Sequence, residues 1–179
     1  MMRQFRSPDA FAAFLRDRVI GTLPGAVHRG VADGADLIKT ETKVQIGHYL
    51  EGPEAGLPTA PLADRTINER IRMGYTPDDP GLRSGDMRES YGTRVSESAL
   101  RVDASIGSDD LHAVYFELGR TIYTDKGVNY QPPRPELSVA AIRNEDRVVD
   151  GVSRAIVRAL EGRPLPNRPV TDESENSDL

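Results

Sequence analysis

The side chains that could do chemistry in this sequence are few and scattered. Its three histidines, His28, His48 and His112, stand far apart, without the close pairing by which two imidazoles on one helix hold a zinc ion. There is no cysteine, which removes a disulfide framework, thiolate metal sites and a cysteine nucleophile together and fits synthesis in a reducing cytoplasm. No glycine-rich loop has the spacing that cradles a phosphate, and no serine sits in a nucleophile elbow; Arg83–Ser84–Gly85 reads as a turn. The adjacent acids Asp78–Asp79 and Asp109–Asp110 could bind a cation or act as acid and base, but acids in Pro/Gly turns and at helix starts read as caps. The expectation is a protein with no catalytic residue, no metal and no cofactor.

Glu117 is the acid that asks for an explanation. It lies in the apolar run Val114–Tyr115–Phe116–Glu117–Leu118–Gly119, where a buried carboxylate requires a partner. Arg134, in the proline-rich stretch downstream, is the cation offered for an inter-subunit or arm-anchoring salt bridge. The alternative is that Glu117 faces solvent on an amphipathic turn.

The elements that must position these residues follow from periodicity. Ser7–Pro8–Asp9 reads as a helix start, with Phe11, Phe14, Leu15 and Val19 at helical spacing to about Ile20. Gly21–Thr22–Leu23–Pro24–Gly25 predicts a break. A long second helix then carries Val27, Val31, Ala35, Ile38, Thr42 and Ile46 up to Gly47, with Gly30 and Gly34 suggesting close packing against a neighbour. His48 to Thr59 reads as an exposed loop that orders against a partner, Leu62 to Met73 as a short helix stopped by Gly74, and Thr76 to Gly81 as turns. Met87–Ser96 and Ala99–Ile106 predict a hairpin turning at Ser96–Glu97–Ser98, with Leu100, Val102, Ala104 and Ile106 on one face. Leu111–Leu118 reads as a helix capped by Asp109–Asp110, although Val114–Tyr115–Phe116 also favours a strand. Arg120–Pro135 reads as a loop ending in a stiff, polyproline-like arm. The last helix spans about Ser138 to Leu160, burying Ala141, Val148, Val152, Ala155, Ile156 and Ala159, with Arg143, Arg147, Arg154 and Arg158 outside that stripe.

Together these predict an α+β fold, a small antiparallel sheet including a β-hairpin packed against long N- and C-terminal helices. Residues 1–162 would form one domain and 163–179 a disordered acidic tail. The net charge of −5, with arginines interleaved among acids from Arg65 to Arg101, argues against bulk nucleic-acid binding, which needs clustered cations. Neither a signal peptide nor a membrane span is expected at the amphipathic N-terminus.

The order of the pieces resembles the tail-completion or neck proteins of long-tailed bacteriophages, the putative phage tail-component family. Its counterparts here are Pro61–Leu62, Leu82–Arg83–Ser84–Gly85–Asp86–Met87, Tyr115–Phe116–Glu117–Leu118–Gly119 and Pro132–Pro133–Arg134–Pro135–Glu136–Leu137, over roughly Phe11 to Leu160. Ser84 stands where threonine is usual, Arg120 intervenes between Gly119 and Thr121, Glu136 replaces a usual aromatic, and the tail after Gly162 has no counterpart. The resemblance implies a non-enzymatic virion protein of the neck, assembled in the bacterial host cytoplasm as a hexameric ring. That ring would join the head-tail connector to the tail tube or tail terminator, with genomic DNA passing through its lumen as cargo. Gly85, Tyr115, Glu117, Gly119, Pro133, Arg134 and Pro135 are then the expected interface or structural residues. A tail terminator or minor tail component is the neighbouring alternative; a nucleic-acid-binding or regulatory domain, and a hydrolase, are more distant ones.

Overall fold

The computed structural model describes residues 4–50, 59–98, 101–125 and 127–165. The fold is α+β, with long helices and two separate antiparallel hairpins. Its frame is a pair of antiparallel helices, α2 (Leu23–Gln45) and α6 (Leu137–Glu161). α2 buries Ala26, Gly30, Gly34, Ala35, Thr42 and Gln45, and α6 buries Val139, Ala140, Asn144, Ala155 and Ala159. Small residues on both sides let the two backbones approach closely. A Cβ at Gly30 would stand 3.0 Å from Val152 Cα, and one at Gly34 would stand 2.8 Å from Val148 Cγ1. Two of the three glycines of α2, Gly30 and Gly34, are therefore those that fix the helix–helix distance.

The predicted break at Gly21–Gly25 does not occur. α1 (Pro8–Leu15), capped by the Ser7 hydroxyl accepting from Ala10 N–H at 3.1 Å, continues through a widened helical stretch, Arg16–Thr22, into α2. Pro24 explains the widening: proline has no N–H and its ring crowds the carbonyl of the preceding turn. The helix relieves the clash by pairing one residue further back, so that Leu23 N–H donates to Arg18 C=O. The result is one helical rod from Pro8 to Gln45.

α3 (Asp64–Met73) ends at Gly74, as its sequence predicts. Met87 belongs to a single helical turn, α4 (Asp86–Glu89), and not to the first strand as expected. That strand, β1 (Tyr91–Ser98), pairs with β2 (Arg101–Ser108) in the register Tyr91↔Ser108, Thr93↔Ile106, Val95↔Ala104 and Ser98↔Arg101. The expected turn at Ser96–Ser98 is thus strand, and the connection, including Leu100, lies outside the described residues. Tyr91, Thr93 and Val95 alternate inwards, and Thr93 Oγ1 donates to Asp36 of α2 at 3.1 Å.

α5 (Leu111–Leu118) is a helix. The following stretch is not a loop throughout, as its tyrosines and prolines suggested, but a second hairpin. β3 (Arg120–Thr124) pairs with β4 (Gly127–Gln131) in the register Thr121↔Tyr130 and Tyr123↔Val128. The β-branched and aromatic run Thr121–Ile122–Tyr123–Thr124, set against Val128 and Tyr130 across a turn, outweighs the prolines, which begin only at Pro132. One face of this hairpin carries Thr121, Tyr123, Val128 and Tyr130, all exposed, with Tyr123 at 80%.

The core at the frame's end gathers Ile46, Met87, Tyr91 and Ala113, with Leu82, Phe116 and Leu137 against them. Leu50 packs on Val139 beside it. Residues 51–58, most of the predicted exposed loop, and 166–179, most of the predicted tail, lie outside the described residues. The ends of that loop are tied, with Thr59 N–H donating to Leu50 C=O at 3.2 Å and Leu50 N–H donating to Thr59 Oγ1 at 2.9 Å. Among the described residues no helix is long and apolar enough to cross a membrane.

The packing of α2 on α6 generates a paired prediction. Gly30→Ala is expected to lower stability by about 1–2 kcal/mol, overpacking outweighing the gain in helix propensity. Gly25→Ala, in the same helix with nothing within 4 Å of the added Cβ, is expected to raise it by up to about 1 kcal/mol. Urea unfolding followed by circular dichroism measures both; equal effects would contradict the close approach.

Candidate functional site

The expected site residues converge, with one exception, on the N-terminus of α6. A helix leaves its first N–H groups without intrahelical acceptors, and α6 has no capping side chain of its own. Glu117, from α5, supplies the acceptor. Its Oε2 receives Glu136 N–H at 2.9 Å and Leu137 N–H at 3.1 Å, while Oε1 receives Ser138 N–H at 2.9 Å together with the Ser138 hydroxyl. The negative charge also lies at the positive end of the helix dipole. Glu117 therefore neither pairs with Arg134 nor merely faces solvent, the two readings that the sequence suggested. Its partner is a backbone terminus, which no side-chain pattern announces.

Arg134 is buried and serves a different junction. Its Nε donates to Ala60 C=O at 2.7 Å and its Nη2 to Pro61 C=O at 2.8 Å, while its own N–H donates to Phe116 C=O at 2.6 Å. The guanidinium carbon lies 5.8 Å from the centroid of the Phe116 ring. Planar guanidinium geometry suits two adjacent carbonyls in a way that a lysine ammonium does not. Pro133 and Pro135 hold the arm extended on either side, and Pro135 is buried.

Gly119 makes the crossing possible. It has φ +71°, and a Cβ there would meet Gln131 O at 2.8 Å and Pro133 N at 2.9 Å. Only glycine satisfies both the left-handed backbone and the contact. Tyr115 stacks on Arg120, whose guanidinium carbon is 4.1 Å from the ring centroid, so the arginine between Gly119 and Thr121 covers the tyrosine. Gly85 is the exception: it caps α4 at φ +91° with nothing near it.

Three groups in this junction escaped sequence reasoning. Glu136 is buried with an unpartnered Oε2. Burial, then the neighbouring Glu117 carboxylate, push its carboxyl up to about 8, with Arg134 opposing. Arg70 is buried, and its Nη1 donates to Asp79 C=O at 2.5 Å. The Tyr49 hydroxyl donates to Asp78 at 2.5 Å and accepts Leu62 N–H at 3.1 Å; burial first and that carboxylate second raise its pKa. Asp78–Asp79 is thus a turn that anchors neighbours. Asp110 caps α5, accepting His112 N–H at 2.8 Å, and that bond, followed by the His112 ring, holds its carboxyl below the usual range.

Chemically, the junction joins four chain segments through carbonyls and N–H groups that are already satisfied. No cluster of three metal-binding side chains occurs among the described residues. His28 lies in α2, His48 is exposed and His112 binds its own cap, so the histidines stay apart. In an open depression lined by Glu41, Gln45, His48, Arg143 and Arg147, Arg147 lies 3.5 Å from Glu41 and 2.6 Å from Asn144.

Comparison with known protein families, with curated proteins and with solved structures finds no match to this chain.

Two outcomes test the junction. Glu117→Gln, which keeps the shape and removes the charge, is expected to cost about 1–3 kcal/mol in stability, read by thermal unfolding at constant pH. Glu136 gives a pH dependence of defined sign. Its folded pKa lies above that of an unfolded glutamate, so the folded state binds more protons and stability falls as pH rises from about 4.3 towards 8. The slope contributed approaches about 1.4 kcal/mol per pH unit, and Glu136→Gln is expected to remove it and to stabilise the protein at pH 8. An unchanged slope in that variant would assign the dependence elsewhere.

Proposed function

We propose that this protein is a structural subunit of the neck or tail of a long-tailed bacteriophage, of the tail-completion type. It assembles into a hexameric ring between the head connector and the tail tube or its terminator. The observation that carries this reading is the junction itself. The two segments bearing the strongest resemblance, Tyr115–Gly119 and Pro132–Leu137, form one interlocked unit through Glu117, Gly119 and the Phe116–Arg134 backbone bond. Pro61–Leu62 is held in the same unit by Arg134 and Tyr49. Their order in the chain thus has a physical reason.

Assembly is supported by what the body leaves uncovered. Each hairpin is a two-stranded sheet with open edges, and large apolar side chains stand exposed on α1, on the second hairpin and on the outer side of α6. That is more unpartnered apolar surface than a lone soluble domain needs. The net charge of −5 suits a ring through which DNA slides without adhering.

Native mass spectrometry of the purified full chain, with negative-stain imaging of large species, tests the reading. A closed ring is the expected outcome. A monomer at every concentration measured would overturn it, and salt-sensitive DNA binding by that monomer would favour the regulatory alternative.

A further inference from the structure

The Pro8–Gln45 rod is longer than the helix that supports it. Gly30 faces Val152 and Ala155, Gly34 faces Val148, and Arg18 meets Gly162 at the C-terminal end of α6. The ten residues from Pro8 to Asp17 therefore run past the end of α6, a reach of about 15 Å at the helical rise. Neither α1 nor the widened stretch after it buries a single residue. Yet α1 is amphipathic, with Phe11 46% and Leu15 40% exposed on one face, Val19 and Ile20 exposed behind them, and Phe5 resting on Phe11 and Phe14. The apolar face of the arm is thus left largely to solvent.

A second apolar stripe lies on the outer side of α6. Ile142, Val149 and Leu160, separated by seven and eleven residues, share one line along the helix, with Ile156 beside them. Ile142 is 64% and Val149 58% exposed. From Ile142 to Leu160 the stripe is about 27 Å long, enough to seat the arm. Its own arm cannot reach it, because that arm begins where α6 stops and points away. Residues 166–179 add only Val170 and Leu179 as large aliphatic side chains.

Charge matches the two surfaces. The stripe is flanked at Ile142–Val149 by Glu145, Asp146 and Asp150, exposed and without ion-pair partners among the described residues, three acids against the one such cation there, Arg143. The arm brings Arg6 and Arg16, exposed and likewise unpaired among the described residues. Of its acids, Asp17 lies 3.5 Å from Arg18 and Asp9 stands in the first turn of α1.

We infer that the α1 arm of one copy docks, Phe11, Leu15 and Val19 inwards, onto the Ile142–Leu160 stripe of the next copy. This inference rests on the ring reading above and gives it an interface. The contact uses two different surfaces of one chain, so it is head-to-tail, the kind that closes into a ring when its rotation divides a full turn. The helix lies in its groove by i, i+4, i+8 anchors.

The absence of cysteine permits a clean test in the full chain. Leu15→Cys is combined in turn with Ile142→Cys, Val149→Cys or Ile156→Cys, and oxidised after native mass spectrometry has recorded the assembly. The expected result is a ladder of covalent oligomers that requires both cysteines. A ring without such a ladder for any of the three pairs would overturn the docking and leave the ring reading intact. A monomer throughout would overturn both, and a cross-link confined within one chain would show that the arm covers its own stripe.

A second measurement uses Leu15→Asp and Val149→Asp, both at exposed positions, with circular dichroism melting as the control for folding. Each variant alone is expected to be monomeric, since each lacks one half of the contact. Mixed, they are expected to give a one-to-one dimer and nothing larger, through the intact arm of Val149→Asp and the intact stripe of Leu15→Asp. Unimpaired assembly of either variant, or no dimer on mixing, would overturn the inference.

Discussion

Much of this structure hangs on a carboxylate from one helix terminating another. Without Glu117, the first N–H groups of α6 would lie beside buried Val139 and Ala140 with no acceptor from the protein side chains. With it, α5 is fixed to the start of α6, and Phe116 is carried into the core beside Ile46 and Met87. α6 is in turn the support against which Gly30 and Gly34 of α2 are fitted. A single anion thus sets the origin of the helix pair from which the other elements are suspended. Its charge also adds to what burial does to its neighbour: the buried Glu136, whose Oε2 has no partner, has its carboxyl pushed up by burial first and by Glu117 second.

The body and its projections obey different physics. In the body, one carboxylate gathers the N–H groups of a helix start and one guanidinium gathers two backbone carbonyls, and small residues bring helices together. The hairpins are two-stranded, a form that needs a helix or a further strand for independent stability. β1–β2 finds it by laying Tyr91, Thr93 and Val95 towards α2 and the core. β3–β4 is closed at its base, where Arg120 Nε donates to Gln131 across the two strands at 3.0 Å and the Arg120 guanidinium covers Tyr115 of α5, while its aromatic face stays outside. Rigidity is thus concentrated at one end of the helix pair, and the surfaces suited to partners radiate from it.

What the sequence made legible was whatever depends on neighbours in the chain. The two long helices, the glycines of their contact, the cap at Asp110 and the Gly74 helix stop follow from local spacing, and the structure has them; of the stripe expected to be buried on α6, only Ala155 and Ala159 are, with Ala141, Val148, Val152 and Ile156 half-buried and Val139, Ala140 and Asn144 inside instead. The errors share a cause. The helix break at Gly21–Gly25 was inferred from residues that break an isolated helix, but a widened turn let the rod continue through Pro24. The β3–β4 hairpin was hidden because prolines lying just after it coloured the whole segment. Glu117 was singled out with a solvent-facing reading left open and Arg134 was offered as its partner, because a sequence displays opposite charges and conceals backbone N–H and C=O groups brought in from 18 to 74 residues away. Arg70 and Tyr49 gave no signal, since their partners are carbonyls and turns placed only by the finished fold.

The widened stretch between Arg16 and Thr22 has a geometric consequence for the whole rod. In an ordinary α-helix each residue turns the helix by about 100°, so an extra residue accommodated in a wide turn shifts the angular phase of everything before it by about that amount. Upstream and downstream apolar faces are thereby put out of step. The α2 face looks into its own molecule, and the phenylalanine face of α1 looks in another direction. The bearing of the arm is therefore a matter of residue count rather than of side-chain identity: one residue added or removed between Arg16 and Thr22 would swing it through a quarter-turn or more, while leaving the helix pair behind it in place.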